Sequence, residues 1–483
     1  MRSALASSRH RTTAGIGSPV PLERLLGGID VLRAQGDFGA AAITSVTHDS
    51  RAVEAGALFC CVVGATADGH DHAAAAVAAG AVALLCERPL PLDVAQAVVA
   101  DSRGAMAQVA AAFFGHPSRR LAVAGVTGTN GKTTVAYLLA AVLEAADRPA
   151  AVIGTLTGAR TTPEAPALQA RLAELAAEGT QAVAMEVSSH ALAQRRVDAV
   201  WFEAVAFTNL SQDHLEYHGT MEEYFRAKAS LFDPARARVG VANADDEWGR
   251  RLLASSRLAV RPFGMADAHG LVVERDGSSF TLDGERVHLR LSGAFNVANA
   301  LAAAAVAREL GVAAADVAAG LGTVAAVPGR FERVDGGGPV AVVVDYAHTP
   351  DGLEKVLATA RQLAGEGRVV AVFGAGGDRD HAKRPAMGDV ATRLADLAVL
   401  TSDNPRNEDP LAIIAEVRAG VGRPEALVVE PDRRAAIALA LSAARPGDVV
   451  VIAGKGHETT QVLAGGRTVP FDDRDVAREL LAS

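Results

Sequence analysis

The run Gly125-Val126-Thr127-Gly128-Thr129-Asn130-Gly131-Lys132-Thr133-Thr134 has the residue types that hold a nucleotide triphosphate. Glycines let backbone N–H groups close around phosphate oxygens. A following helix N-terminus adds its positive end, Lys132 adds a full charge, and Thr133 can offer a hydroxyl to Mg²⁺. The apolar run Leu121–Val126 predicts a strand before the loop, and Val135–Ala145 predicts a helix after it. The glycine that opens the common phosphate-binding loop is replaced by Val126, so Gly128 must supply the backbone freedom.

Other polar groups stand where strands are predicted to end. Glu186 closes the strand Ala182–Val187 and precedes Ser188-Ser189-His190. The strand Ala204–Thr208 runs into Asn209-Leu210-Ser211-Gln212-Asp213-His214. Mg²⁺ takes oxygen ligands, usually one or two carboxylates beside phosphates and water, and Glu186 suits that role. A helix predicted over 220–232 carries Lys228 among Phe225, Leu231 and Phe232. The residues alone leave two readings of Lys228. Either its stem lies on the core with the head in water, or burial keeps the amine neutral and reactive.

The elements that position these groups form three segments. From Pro21 to Pro117, short strands and Ala-rich helices alternate, with a capped turn at Asp49-Ser50-Arg51. The central segment, 118–328, holds the loop, Thr161-Thr162-Pro163, and Gly293-Ala294-Phe295-Asn296 before an Ala-rich helix. The last, 329–483, has strands Val340–Val344, Val369–Phe373, Leu397–Leu400, Ala426–Val429 and Val449–Ile452. Apolar strands alternating with helices predict a parallel sheet covered on both faces, with ligands beyond the carboxyl ends of its strands. Polar turns sit at those ends: Asp345-Tyr346-Ala347-His348, Gly374–Asp380, Ser402–Arg406 and Gly454–Glu458. Gly374-Ala375-Gly376-Gly377 lacks dinucleotide spacing and reads as a tight turn aiming Arg379.

Composition bounds the function. The 483 residues suggest about three domains. A net charge of −9 argues against a nucleic-acid binder with a global basic field. Cys60, Cys61 and Cys86 fit neither a zinc site nor a disulfide framework and read as reduced buried thiols. Ala73–Cys86 is too short to span a bilayer. Residues 1–20 are basic and Ser/Thr-rich without an apolar h-region, so a disordered leader is expected and a cytoplasmic protein.

GTNGKTT, together with MEVSSHAL (185–192), NLSQDHLEYHGT (209–220), AKASLF (227–232) and GKGHE (454–458), resembles the Mur ligase superfamily, from about Ile43 to Asp473. The resemblance implies three α/β domains: a UDP-sugar-binding domain (21–117), a central P-loop ATPase (118–328) and a Rossmann-like amino-acid-binding domain (329–483). It implies that Gly128 to Thr134, Asn296, Arg330, Asp345 and His348 lie around ATP. Ser50, Thr161, Thr162, Ser188, Gln194 and Arg196 would hold a UDP-N-acetylmuramoyl dipeptide. Thr133, Glu186, His214 and a carbamylated Lys228 would surround Mg²⁺, with Lys132, Lys228, Glu186 and His214 as the catalytic set. Arg379, Asp403, Asn404, Pro405, Arg406, Gly454 and Glu458 would hold meso-diaminopimelate, because Asp403-Asn404-Pro405-Arg406 resembles the motif separating diaminopimelate-adding from lysine-adding members.

The chemistry explains such a set. A carboxylate and an ammonium ion do not condense, so the acid is first phosphorylated by ATP and the amine then displaces phosphate. Both steps gather negative charge and require cations. Carbamylation would turn Lys228 from +1 to −1 and make it an oxygen ligand. Diaminopimelate carries a carboxylate that lysine lacks, and Arg406 can pair with it. A capped Asn-Pro turn is the plainer reading of Asp403–Arg406. The implied activity is ATP-dependent addition of meso-diaminopimelate to the D-Glu carboxylate of UDP-N-acetylmuramoyl-L-Ala-D-Glu. That places the chain in peptidoglycan synthesis, hence cell wall biogenesis, cell shape and division, as a monomer without membrane insertion. The alternatives are a lysine-adding ligase or, from another class, an ATP-hydrolysing switch. The capped turn at Ser50 and the 403–406 motif argue against folylpolyglutamate or cyanophycin-type ligases. No Gly-x-Ser-x-Gly elbow or metalloprotease helix is present. Closure of the domains is expected, to keep water from the acyl phosphate.

Overall fold

A computed structural model describes residues 18–64, 67–274, 276–334 and 339–482. Of the expected leader, residues 1–17 lie outside the described residues, whereas Val20 pairs with Ile43 in a short antiparallel bridge. By contact density the chain forms two compact units. One takes the chain up to Gly125 together with 148–204 and 230–239. The other takes 126–147, 205–229 and 240–483. The chain passes between them inside the strand Ala122–Thr127.

In the first unit a five-stranded sheet runs in the order Val31–Gln35, Ala95–Val99, Ala81–Cys86, Ala57–Cys60 and Ser45–Thr47. All its pairs are parallel except the first. Leu58, Cys60, Leu85 and Ala97 pack on one face with Met106 and Val109 of the helix Ser102–Phe113. Phe59, Cys61, Leu84 and Cys86 pack on the other with Ala73 and Ala76. The three cysteines are free and buried, as the composition led us to expect. Farther along, Ala150–Ile153 pairs in parallel with Ala182–Glu186.

In the second unit, residues 205–207 of the strand Ala204–Phe207 pair in parallel with Gly240–Asn243, and that strand with Val260–Phe263. The loop helix, Lys132–Ala145, meets Ala314–Thr323 so closely that a Cβ on Gly320 would overlap the Val142 backbone. A three-stranded antiparallel sheet, His269–Glu274, Gly277–Leu282 and Glu285–Leu289, was not expected from the sequence. The helix with Lys228 spans Met221–Ala229 and ends earlier than predicted. Pro234 disfavours helical backbone at Asp233 just beyond it.

The last sheet has the order Glu332–Val334, Ala341–Asp345, Val449–Ala453, Val369–Phe373, Leu397–Leu400, Leu427–Val429. It is parallel but for its first strand. Both faces are covered. Val343, Ala371, Phe373 and Val451 pack under Pro350–Ala364, Lys383–Leu394 and Pro410–Arg418, and Val342, Val372 and Val450 under Arg433–Ala443 and Asp473–Leu481. Thr349, Asp409, Asp432 and Asp472 cap four of these helices through their side chains. Parallel pairing puts the ends of strands 341–345, 449–453, 369–373 and 397–400 on one edge, and with them the four polar turns that follow.

Candidate active site

Two glycines shape the loop. Gly128 (φ +147°) and Gly131 (φ +89°) lie in conformations that favour glycine, and a Cβ on either would overlap Thr208 Oγ1 or Asn299 Oδ1. The segment after strand 204–207 braces the loop. The Thr129 N–H donates to Asn209 O (2.9 Å), the Asn130 N–H to Asn209 Oδ1 (2.9 Å), and Thr208 Oγ1 to Asn130 O (2.6 Å). Lys132 Nζ is folded back onto Gly128 O (2.9 Å) and Thr129 O (2.7 Å).

Lys228 meets the same carbonyl: its Nζ donates to Gly128 O at 2.8 Å and lies 4.6 Å from the centre of the Tyr224 ring. It is 1% exposed. Burial first, and then the charge of Lys132, hold its pKa well below the ordinary lysine value, against a smaller pull from Asp213. Burial of the whole side chain excludes the reading in which its head lies in water, and the lowered pKa favours the neutral amine. Tyr224 also ties this helix to the loop, with its hydroxyl 3.2 Å from Thr129 Oγ1.

His214 adopts a left-handed backbone (φ +56°) beside the buried Asp213, its Nε2 3.4 Å from Asp213 Oδ2. Asp213 also faces Lys383 Nζ (3.5 Å) and His348 Nε2 (3.8 Å). Burial raises its pKa, but His348, Lys383 and His214 outweigh burial and hold the carboxyl well below its usual range.

The residues expected around ATP share this unit. Asn296 accepts from Asn299 Nδ2 (3.2 Å), and Asn299 in turn abuts Gly131. Arg330 Nη2 donates to Thr133 Oγ1 (3.2 Å), its Nη1 approaches His457 Nδ1 (3.4 Å), and its guanidinium covers the Tyr346 ring. Burial, then Arg330 and Arg474, push His457 down to about 4, so it is neutral and can accept from Arg330. Asp345 accepts from the N–H groups of Phe331 (2.6 Å) and Ala347 (2.7 Å). Asn130 Nδ2 reaches Asp351 Oδ2 (2.8 Å), which also accepts from Ser211 Oγ (3.1 Å).

Beyond the strand ends of the last sheet, a second cluster forms. Asn404 Nδ2 donates to Glu458 Oε2 (2.7 Å). Lys455, fully buried, donates to Glu458 Oε2 (3.0 Å) and Thr460 O (2.6 Å). Asp403 Oδ1 accepts from the Asn404 N–H (2.6 Å), while its buried Oδ2 has no hydrogen-bond partner among the described residues and faces Gly454. Arg406 (φ +52°) is half-buried and donates from Nη1 to Gly377 O (2.7 Å). Burial and neighbouring Arg379 lower its pKa, against Asp403 and Glu458. Arg379 is exposed and donates to Asp378 O (3.0 Å). An amino acid with two charged ends would find cationic and anionic partners here. The cluster connects to the triphosphate loop through His457, Arg330 and Thr133.

The first unit gathers the residues expected to hold the sugar dipeptide. Thr162 Oγ1 donates to Glu186 O (2.8 Å) and accepts from the Ser188 N–H (3.1 Å). Arg196 reaches Thr162 O (2.9 Å), Gln194 Oε1 (2.6 Å) and Glu164 Oε1 (2.8 Å). Thr161 Oγ1 is 3.0 Å from Thr155 Oγ1, and the Thr155 N–H donates to Glu186 Oε1 (2.8 Å). Ser50 opens a 3₁₀ turn, Ser50–Ala52, next to His48. Burial lowers the pKa of His48, which also feels the charges of Glu164, Arg103 and Arg160.

The sequence reading did not single out Asp351, Lys383, Lys455, Thr155 or Glu164. Asp351 and Lys383 lie in first turns of helices, where an acidic or basic residue carries no signal of its own. Lys455 sits inside a motif but reads as solvated until its burial is known. Among the described residues, no cluster of three or more His, Cys, Asp or Glu side chains could hold a metal unaided. The expected set contains only two residues of those types, Glu186 and His214.

Comparison with known proteins gives the family and the fold. Residues 42–130 match the Mur ligase family catalytic domain, 126–307 the Mur ligase middle domain, and 329–456 the Mur ligase glutamate ligase domain. The chain is 46% identical to a UDP-N-acetylmuramoyl-L-alanyl-D-glutamate--2,6-diaminopimelate ligase of Streptomyces coelicolor, over 96% of this chain and 97% of that protein. It is 48% identical to the protein of that name from Solibacter usitatus, over 91% and 93%. A solved structure of a ligase with that name shares 32% identity and a TM-score of 0.67, covering 96% of this chain and 99% of the other. MurF from Acinetobacter baumannii, at 20% identity, has a TM-score of 0.68 with the same coverage and is similar in fold.

Proposed function

The chain belongs to the Mur ligase family and has its three-domain α/β fold, and from that premise we propose that it is the ATP-dependent ligase that joins meso-diaminopimelate to the D-Glu carboxylate of UDP-N-acetylmuramoyl-L-Ala-D-Glu. The domain limits that fit this reading are 21–117, 118–328 and 329–483. The observation that carries it is that Arg330 contacts both Thr133 of the triphosphate loop and His457, whose chain neighbour Glu458 accepts from Asn404 of the 403–406 turn. Lys455, from the same segment as Glu458, donates to the same Glu458 oxygen.

The substrate carboxylate oxygen attacks the γ-phosphorus of ATP and ADP leaves. The neutral amine of diaminopimelate then attacks the acyl carbon and inorganic phosphate leaves. The loop N–H groups and Lys132 serve the phosphates once Lys132 releases the Gly128 and Thr129 carbonyls. Thr162, Ser188 and Arg196 hold the dipeptide, with Ser50 at the UDP end. Arg406 takes the carboxylate that lysine lacks, and Glu458 takes the distal ammonium. Asp403 Oδ2, buried and without a hydrogen-bond partner among the described residues, can accept from an ammonium N–H.

Mg²⁺ would be held by Thr133, Glu186, His214 and Lys228, and supplies charge neutralisation at the phosphates when bound. Lys228 fits that set only as a carbamate. Its neutral Nζ attacks CO₂, loses one proton and becomes an N-carboxylate, and the depressed pKa favours the amine form this needs. No helix among the described residues is long and apolar enough to cross a membrane. A cytoplasmic monomer fits a reaction on soluble substrates.

The test is phosphate release measured with each substrate omitted in turn. Release that needs ATP, the UDP-dipeptide and diaminopimelate together supports the reading. Release without an acceptor amine indicates a nucleotide switch, and equal turnover with lysine indicates the lysine-adding activity.

A further inference from the structure

Arg384 is among the largest fully buried side chains of the described residues, yet no step above uses it. It lies in the first turn of the helix Lys383–Leu394. Its Nη1 donates to Glu408 Oε2 (2.8 Å) and Glu416 Oε2 (2.9 Å). Its Nη2 donates to Glu408 Oε1 (2.8 Å) and Gly376 O (3.1 Å). His381 Nδ1 is 3.0 Å from Nη1. The fork to Glu408 is bidentate, the arrangement only a guanidinium provides.

Glu408 is pinned in turn. Glu408 Oε1 also accepts from the Asp378 N–H. Thus Arg384 and Glu408 together hold Gly376 O and Asp378 N, on the turn after strand 369–373. Glu408 itself belongs to the turn after strand 397–400, two positions beyond Arg406. The two turns then lock at their tips. The Gly377 N–H donates to Asn404 O (2.9 Å), Arg406 donates to Gly377 O (2.7 Å), and Asn407 Nδ2 to Asp378 Oδ2 (2.8 Å). The approach is so close that a Cβ on Gly377 would overlap Pro405 O. Arg406 is held here in a left-handed backbone that costs about 1 kcal/mol or more outside glycine, and such a conformation persists only where the surroundings over-determine it.

We infer that the buried Arg384–Glu408 fork is the positioning device for amino-acid selection: it fixes the 374–380 turn against the 403–408 turn, and so sets where Arg406 and Arg379 present their guanidinium groups. Neither Arg384 nor Glu408 touches the amino acid. The inference rests on the functional reading above for the identity of that amino acid, though not for the mechanical coupling of the two turns. Glu416 is the dispensable partner. It binds Arg384 through one oxygen and its side chain is 42% exposed.

Two variants separate the claim from a general loss of folding. Glu408→Gln keeps the shape but weakens the fork, Arg384→Lys keeps the charge but loses it, and Glu416→Gln is the control. Steady-state assays of the whole enzyme should show KM for diaminopimelate raised about tenfold or more in Glu408→Gln, since small misplacement of a binding group costs factors of this size. KM for ATP and for the UDP-dipeptide should stay within about twofold, and the preference for diaminopimelate over lysine should fall. A parallel fall in activity with all three KM values unchanged overturns the inference, because that is what a smaller folded fraction produces. Amide hydrogen exchange on Glu408→Gln without substrates supplies the second arm. Peptides covering 374–380 and 402–408 should exchange about tenfold faster while strands 369–373 and 449–453 keep their protection. Unchanged exchange in both turns overturns the inference whichever amino acid the enzyme takes. A wild type that ignores diaminopimelate refutes the functional reading and leaves this arm to decide.

Discussion

Replacing Arg406 by alanine tests the selection of the incoming amino acid at one atom group. The guanidinium spends one N–H on Gly377 O at 2.7 Å, and its remaining donors can meet a second carboxylate. A charge-assisted hydrogen bond of this kind contributes about 1.5–3 kcal/mol. At roughly 1.4 kcal/mol per decade, Arg406→Ala should lower kcat/KM for diaminopimelate by roughly 10- to 150-fold. Lysine has no second carboxylate to lose, so kcat/KM for lysine should stay level or rise as a half-buried cation with no substrate carboxylate to meet disappears. The backbone contributes little to the difference, because alanine and arginine bear the same Cβ penalty at φ +52°. Phosphate release with the two amino acids in parallel, at saturating ATP and UDP-dipeptide, reads the ratio directly. An equal fall for both amino acids would refute the reasoning, since it would mean that Arg406 supports the turn without touching the substrate.

Further outcomes follow from the same geometry. Gly128→Ala places a Cβ onto Thr208 Oγ1 at φ +147° and should raise KM for ATP by about tenfold or more, with the loss read by nucleotide titration. Lys228 has a folded pKa well below 10.5, so between that depressed value and 10.5 the unfolded chain binds more protons than the folded one, and stability rises with pH. Lys228→Met removes that dependence, so in thermal melts without CO₂ its stability advantage over wild type should narrow as the pH climbs towards 10.5. A constant gap would mean that the amine is charged in the fold. Arg433 and Asp473 are both fully buried and joined at 2.7 and 2.8 Å, and Arg433→Met should destabilise the protein by about 3–5 kcal/mol by leaving a carboxylate unpaired. Denaturant titration measures this.

Much of the molecule could be read from local pattern, because local pattern is where its causes lie. Gly128, Gly131 and Lys132 stand between an apolar run and a helix former, so strand, loop and helix follow from periodicity and backbone freedom. Strands such as Val369–Phe373 and Leu397–Leu400 were legible to the residue, since sequences buried on both faces have no polar alternation to blur their ends. The sheet of 269–289 was not read from the sequence although Phe280 and Leu282, and Val287 and Leu289, alternate with more exposed neighbours: the strands are short, polar on one face, and held by antiparallel pairing with one another. The sequence by itself also determined the family, through motifs whose residue types the chemistry requires. Only the tertiary structure decided that Lys228 is buried against Lys132, that Asp213 is shared by Lys383 and His348, and that Arg384 clamps two turns. Burial and charge pairing depend on chain segments distant in sequence, and no local stretch contains the distance between them.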